Sequence, residues 1–83
     1  MSDTDPIRDL LEYLARGLVE APDAVEVRSV PEADALVLEL SVGEDDYGNV
    51  IGRGGRTASA LRAVIKSAGA KRGQRVFVDI VDD

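Results

Sequence analysis

Eight residues in the middle of the chain, Val50-Ile51-Gly52-Arg53-Gly54-Gly55-Arg56-Thr57, constrain the fold more than any other stretch. Two apolar residues lead into three glycines within four positions, and an amphipathic helical pattern follows. Glycine lacks the Cβ that bars other residues from left-handed backbone and from close approach. Gly52-Arg53-Gly54-Gly55 therefore reads as a GxxG loop with bare backbone. Arg53 sits inside it and Arg56 directly after it. Bare backbone flanked by guanidinium groups is a means of gripping a phosphate strand that needs no catalytic residue. The same residues read equally as a tight turn followed by a solvated helix face.

Charge is segregated around this loop. The chain carries a net charge of −6, yet no Asp or Glu occurs between Gly48 and Arg75. That stretch holds Arg53, Arg56, Arg62, Lys66, Lys71, Arg72 and Arg75, seven of the ten basic residues. An acidic total counts against a nucleic-acid binder. The local segregation counts for one, because a phosphate strand senses charges within about 10 Å at moderate salt.

Eighty-three residues suit one domain. The expected unit is 1–83, with residues 1–4 a disordered tail. The chain has no cysteine and no histidine. That removes disulfides, thiolate metal sites, the commonest general base and the usual nucleophile. The Glu44-Asp45-Asp46 run is a weak metal candidate, because adjacent acids do not converge as hard cations require. Neither a G-x-x-x-x-G-K-[ST] nor a G-x-G-x-x-G pattern is present. No enzyme activity, cofactor or metal is expected. The first residues lack the apolar core of a signal peptide, and no apolar run approaches a membrane span of about 20 residues. The expected location is cytoplasmic, away from membranes.

Asp5 and Pro6 read as N-cap and first turn of a helix over about 5–19, with Ile7, Leu10, Leu11, Leu14 and Leu18 on one face. Val25 to Arg28 alternates as a half-buried strand, Pro31 to Asp34 is a turn, and Leu36 to Val42 is a second, antiparallel strand. A carboxylate among residues 44–46 is expected to cap a short helix over about 46–51. A longer helix over about 55–69 buries Ala58, Leu61, Val64, Ile65 and Ala68, with Gly69 as its closing glycine. Arg62 and Lys66 share its outer face. Val76, Val78 and Ile80 mark a final strand, which can lie parallel to the second through a right-handed crossover.

The α-β-β-α-α-β order and the Val-Ile-Gly-x-x-Gly-Arg-Thr core at residues 50–57 together resemble the type II KH domain, in particular the small bacterial single-domain KH proteins of the KhpA type. The likeness covers most of the chain. It implies an α+β fold, a three-stranded mixed sheet packed on one face by three helices. It also implies single-stranded RNA binding, in an RNA chaperone or post-transcriptional regulator. The implied partners are a second copy, giving a homodimer, or a larger KH protein of the Jag (KhpB) type.

In such a domain the expected RNA site is Val50, Ile51, Gly52, Arg53, Gly54, Gly55, Arg56, Thr57 and Ala60. The glycines and the following helix N-terminus meet the backbone, the arginines meet phosphates, and the aliphatic side chains line a groove for bases. Asn49, Lys71, Arg72 and Arg75 are candidate secondary contacts. Val37, Phe77 and Val81 fall on the sheet face away from the helices and form a candidate partner surface. The alternative function is a KH-fold interaction or dimerisation module with little RNA binding of its own.

Overall fold

The computed structural model describes residues 6–82. The tail at 1–4 and the Asp5 cap lie outside the described residues. Helix α1 spans Pro6–Arg16 and buries Ile7, Leu11 and Ala15. It ends three residues earlier than expected. Gly17 N–H bonds both the Tyr13 and Leu14 carbonyls (3.2 Å each), and Leu18 N–H bonds Ala15 O (3.0 Å). This tightened turn leaves Leu18 37% exposed, outside the face it was expected to extend.

Strands β1 (Glu26–Pro31) and β2 (Leu36–Ser41) pair antiparallel, with Val27 opposite Leu40 and Ser29 opposite Leu38. β1 runs three residues past its expected end and takes in Pro31, and the turn is closed by Glu32 N–H to Ala35 O at 2.8 Å. Proline is tolerated there because β1 is an edge strand. A single 3₁₀ turn (Glu44–Asp46) precedes the short α2 (Tyr47–Ile51), and a second (Arg53–Gly55) precedes α3 (Arg56–Lys71). Strand β3 (Val76–Ile80) pairs parallel with β2, which is therefore central.

One face of the sheet meets the helices. Leu38 and Leu40 of β2, Leu11 of α1, Val50 of α2 and Ile65 of α3 are the largest fully buried side chains. This is the mixed-sheet α+β architecture expected. Each sheet edge is met by an arginine from the neighbouring long helix. Arg8 Nε donates to Val27 O of β1 (3.0 Å), and Arg62 Nε donates to Val78 O of β3 (3.3 Å). Edge carbonyls engaged in this way are less open to pairing with another chain.

Two glycines settle how α3 meets β3. Gly69 is not the closing residue. It lies inside α3, and a Cβ there would come within 2.7 Å of Val76 Cγ2 and 2.8 Å of Gln74 O. The helix stops two residues after Gly69, and Gly73 takes the left-handed conformation (φ 70°). Gly73 N–H bonds Ala70 O (3.0 Å) and Gln74 N–H bonds Gly69 O (2.8 Å), the paired bonds of a glycine-terminated helix.

Candidate nucleic-acid interface

The loop is held from both sides by the chain that enters and leaves it. α2 closes with Gly52 N–H to Gly48 O (2.9 Å), and Gly55 N–H bonds Gly52 O (3.1 Å). Gly52 has φ 78° and packs so closely on Thr57 that a Cβ would come within 2.7 Å of Thr57 Cβ and 2.8 Å of its backbone nitrogen. Gly54 and Gly55 also have positive φ, but a Cβ at either would meet nothing within 4 Å. Gly52 thus shapes the turn from inside, while the other two turn bare backbone outward.

Gly55 is the N-cap of α3, and no side chain caps that terminus. The Arg56 N–H that opens this 16-residue helix bonds Arg53 O, so the 3₁₀ turn runs directly into the helix, and the positive end of the helix dipole lies beside the exposed backbone of Gly54. Such a terminus carries partial positive charge and favours anions. Arg53 and Arg56 flank it, both exposed. Neither forms an ion pair with a described residue.

The aliphatic residues expected to line one base groove are not brought together. Val50 is fully buried beneath the loop, so it anchors the turn and offers no surface to a ligand. Ile51 is 38% exposed at the loop's edge. Ala60 and Thr57 lie on the α1 side of α3, with Leu14, Leu18, Leu61 and Val64, around a hollow of about 220 Å³. Arg62 and Lys66 lie on the other side, above the β3 edge. The 3.6-residue period does not give which neighbour each outward face meets, and Val64, expected to be buried, is 47% exposed on the α1 side.

The secondary candidates are also redistributed. Asn49 Nδ2 donates to Asp46 Oδ1 (2.9 Å), so this amide is engaged within the protein. Lys71 and Arg72 are exposed at the far end of α3, about 24 Å from the loop by helical rise. Arg75 reaches Asp34 (3.4 Å) and places its guanidinium 5.6 Å from the centre of the Phe77 ring.

Asp46 was not singled out in the sequence beyond its place in an acidic run. It is only 4% exposed. Its carboxylate does not cap α2; it accepts the Glu20 N–H (3.0 Å), the Ala21 N–H (3.1 Å) and the Asn49 amide. The Glu20 N–H, then Asn49, hold its pKa below the usual carboxylate value. Among the described residues, no group of three or more acids, His or Cys could hold a metal ion.

On the outer sheet face, Val37 pairs with Phe77 across β2 and β3, and Val30 of β1 sits opposite Val37. The next row is charged: Arg28, Glu39 and Asp79. Val81 lies beyond that row, past the end of β3, so the three residues expected as one surface are split. Val30 completes the apolar row instead.

The helix–loop–helix turn on a mixed sheet with β2 central defines a KH domain of the type II order. The chain belongs to the family described as KhpA/KhpB, KH domain, whose family model matches residues 8–80. Among its relatives is a protein of Clostridium acetobutylicum named RNA-binding protein KhpA, 45% identical over 75 residues, 90% of this chain and 100% of the relative. A protein of the same name from Halalkalibacterium halodurans is 46% identical over 92% of this chain and 100% of its own length. Another from Streptomyces coelicolor is 49% identical over 92% of each chain.

Proposed function

We propose that this chain is a single-stranded RNA-binding protein, one KH domain over residues 1–83, that grips the RNA backbone with its GxxG loop. The observation that carries this reading is the N-terminus of α3, which no side chain caps, lying beside outward-facing glycine backbone between Arg53 and Arg56. Such a site holds phosphate by charge-assisted bonds and performs no covalent chemistry. The relatives named RNA-binding protein KhpA support the ligand class. The role is that of an RNA chaperone or post-transcriptional regulator working in the cytoplasm, where transcripts are met.

Binding of fluorescent random-sequence single-stranded RNA, followed by anisotropy, tests this. The double variant Arg53→Asp/Gly54→Asp removes one cation and places two anions in the loop. Position 54 has open space around it, and Asp is among the residues that tolerate left-handed backbone. The variant should fold and lose RNA binding. Equal affinity in a folded variant would refute the assignment.

The domain is further proposed to pair, with a second copy or with a KhpB-type KH protein. Two loops on one strand would raise avidity over a weak single grip. The matched family's description, spanning both KhpA and KhpB domains, supports this pairing. Light scattering across a concentration series, with and without a KhpB-type protein, tests it; a monomer throughout would count against it. The second functional reading, a protein-docking module with little RNA binding, draws on exposed apolar side chains such as Leu18, Val64 and Phe77.

A further inference from the structure

Asp46 is the one buried charged residue among the described residues, and it directly precedes the helix that delivers the loop. Its neighbours Glu44 and Asp45 are exposed. Asp46 Oδ1 accepts the Glu20 N–H and the Asn49 side-chain amide, and Oδ2 accepts the Ala21 N–H. One carboxylate thus ties the segment between α1 and β1 to the first turn of α2. That helix has five residues, Tyr47–Ile51. A helix so short has no stability of its own, so its direction is set by what holds it. Besides Asp46, it is held by Val50, fully buried in the core, and by the Tyr47 hydroxyl, which donates to Val81 O. Its last residue runs straight into Gly52, whose approach to Thr57 shapes the turn.

We propose that Asp46 is a positioning residue for the RNA grip: anchored on the Glu20 and Ala21 N–H groups, it sets the direction of α2 and thereby the place of Gly52 to Gly55 against the N-terminus of α3. The inference rests on the RNA-binding reading and adds to it the residue that aims the loop. Asp46 is buried and its oxygens are taken by three donors, so it acts on RNA only through the backbone that follows it. Charge and positioning make opposite predictions for it. Six residues separate Asp46 from Gly52, about 9 Å by helical rise. That is within a Debye length of about 10 Å at 0.1 M salt. An anion so close to a phosphate site repels the ligand, so by charge alone its removal tightens binding. By positioning, its removal weakens binding. Asn at this position keeps the shape but turns an amide N–H₂ toward backbone donors, leaving one of them without an acceptor. Asp45 supplies the charge-only comparison, being adjacent, exposed and in no ion pair with a described residue.

The test titrates wild type, Asp46→Asn, Asp45→Asn and the loop variant Arg53→Asp/Gly54→Asp with a fluorescent 12-nucleotide random-sequence RNA at several salt concentrations. Urea unfolding first fixes a temperature at which each protein is folded. Asp45→Asn should bind as tightly as wild type or more tightly, with the same salt slope. Asp46→Asn should bind about three- to tenfold more weakly, in the range of changes transmitted from outside a site. Its salt slope should be shallower by about 0.7 for each phosphate contact the misplaced loop loses. Affinity in Asp46→Asn equal to or above that of Asp45→Asn overturns the positioning role. So does weaker binding with the wild-type salt slope, the result of a purely structural role. Either result leaves the loop assignment standing if the loop variant has lost binding. Failure of wild type to bind RNA overturns both. Should Asp46→Asn not fold, Asn49→Ala takes its place, since it leaves the carboxylate its two backbone donors. Weaker binding with a shallower slope in Asn49→Ala supports the role. Unchanged binding, or weaker binding at the wild-type slope, overturns it.

Discussion

At the scale of single residues, the loop depends on one contact that only glycine permits. Gly52 combines φ 78° with a backbone approach to Thr57 that leaves no room for a methyl group. Gly52→Ala should cost about 1–3 kcal/mol of stability, read from urea midpoints, because strained backbone and overlap act together. Gly54→Ala meets open space and should cost only the left-handed backbone penalty, about 1–2 kcal/mol. The three glycines are visible in the sequence, but not this division of labour, which depends on Thr57 folding back over the turn. Asp46 makes the same point more strongly. The acidic run suggests a helix cap, yet the carboxylate reaches back 25 and 26 residues to the Ala21 and Glu20 N–H groups. No local pattern encodes a contact that long. Its folded pKa lies below the ordinary value of 3.8, so its stabilising effect is complete above that value and is lost as pH falls through the depressed folded one. Wild type should therefore lose stability more steeply than Asp46→Asn below about pH 4, with the variant less stable at neutral pH. Parallel acid profiles for the two proteins would contradict this role.

Among the elements, α3 carries most of the site. Its N-terminus faces the loop, one flank faces α1, and the other overhangs β3. The element order and the core residues Leu38, Leu40, Leu61, Ile65, Val76 and Val78 are readable from periodicity, because a buried face repeats in register with its own secondary structure, while the parallel β2–β3 pairing follows from the crossover through two helices. The helix ends are less readable. Gly69 and Gly73 are both plausible stops by composition, and only the close passage of β3 makes Gly69 a packing position. Gly69→Ala is a direct check. Helix propensity alone favours the alanine by about 1 kcal/mol. Contact with Val76 Cγ2 and Gln74 O should reverse the sign and destabilise the protein by about 1–3 kcal/mol. A rise in thermal midpoint would mean that β3 does not pack where the structure places it. The outward flanks of α3 were the least legible part of the site. Arg62, read from spacing as a solvated neighbour of Lys66, instead bonds the Val78 carbonyl at the sheet edge.

The whole molecule has a net charge of −6, with all sixteen acids lying outside a basic segment that holds seven of its ten cations. The acidic remainder repels bulk nucleic acid, so in the proposed reading binding depends on the few cations presented at the loop and along α3. Affinity should be modest and steeply dependent on salt. If about three phosphates are neutralised, log K should fall with log salt at a slope of about −2, as for other single-stranded sites. A slope near zero would exclude phosphate contact as the source of affinity. The most direct measurement is an amide chemical-shift titration of the ¹⁵N-labelled protein with random-sequence single-stranded RNA. The expected result is that the Gly52 to Thr57 amides shift first and most, followed by residues along the α3–β3 side. Saturation with RNA that leaves those amides unmoved, with shifts confined to other surfaces, would contradict the assignment of the GxxG loop as the grip.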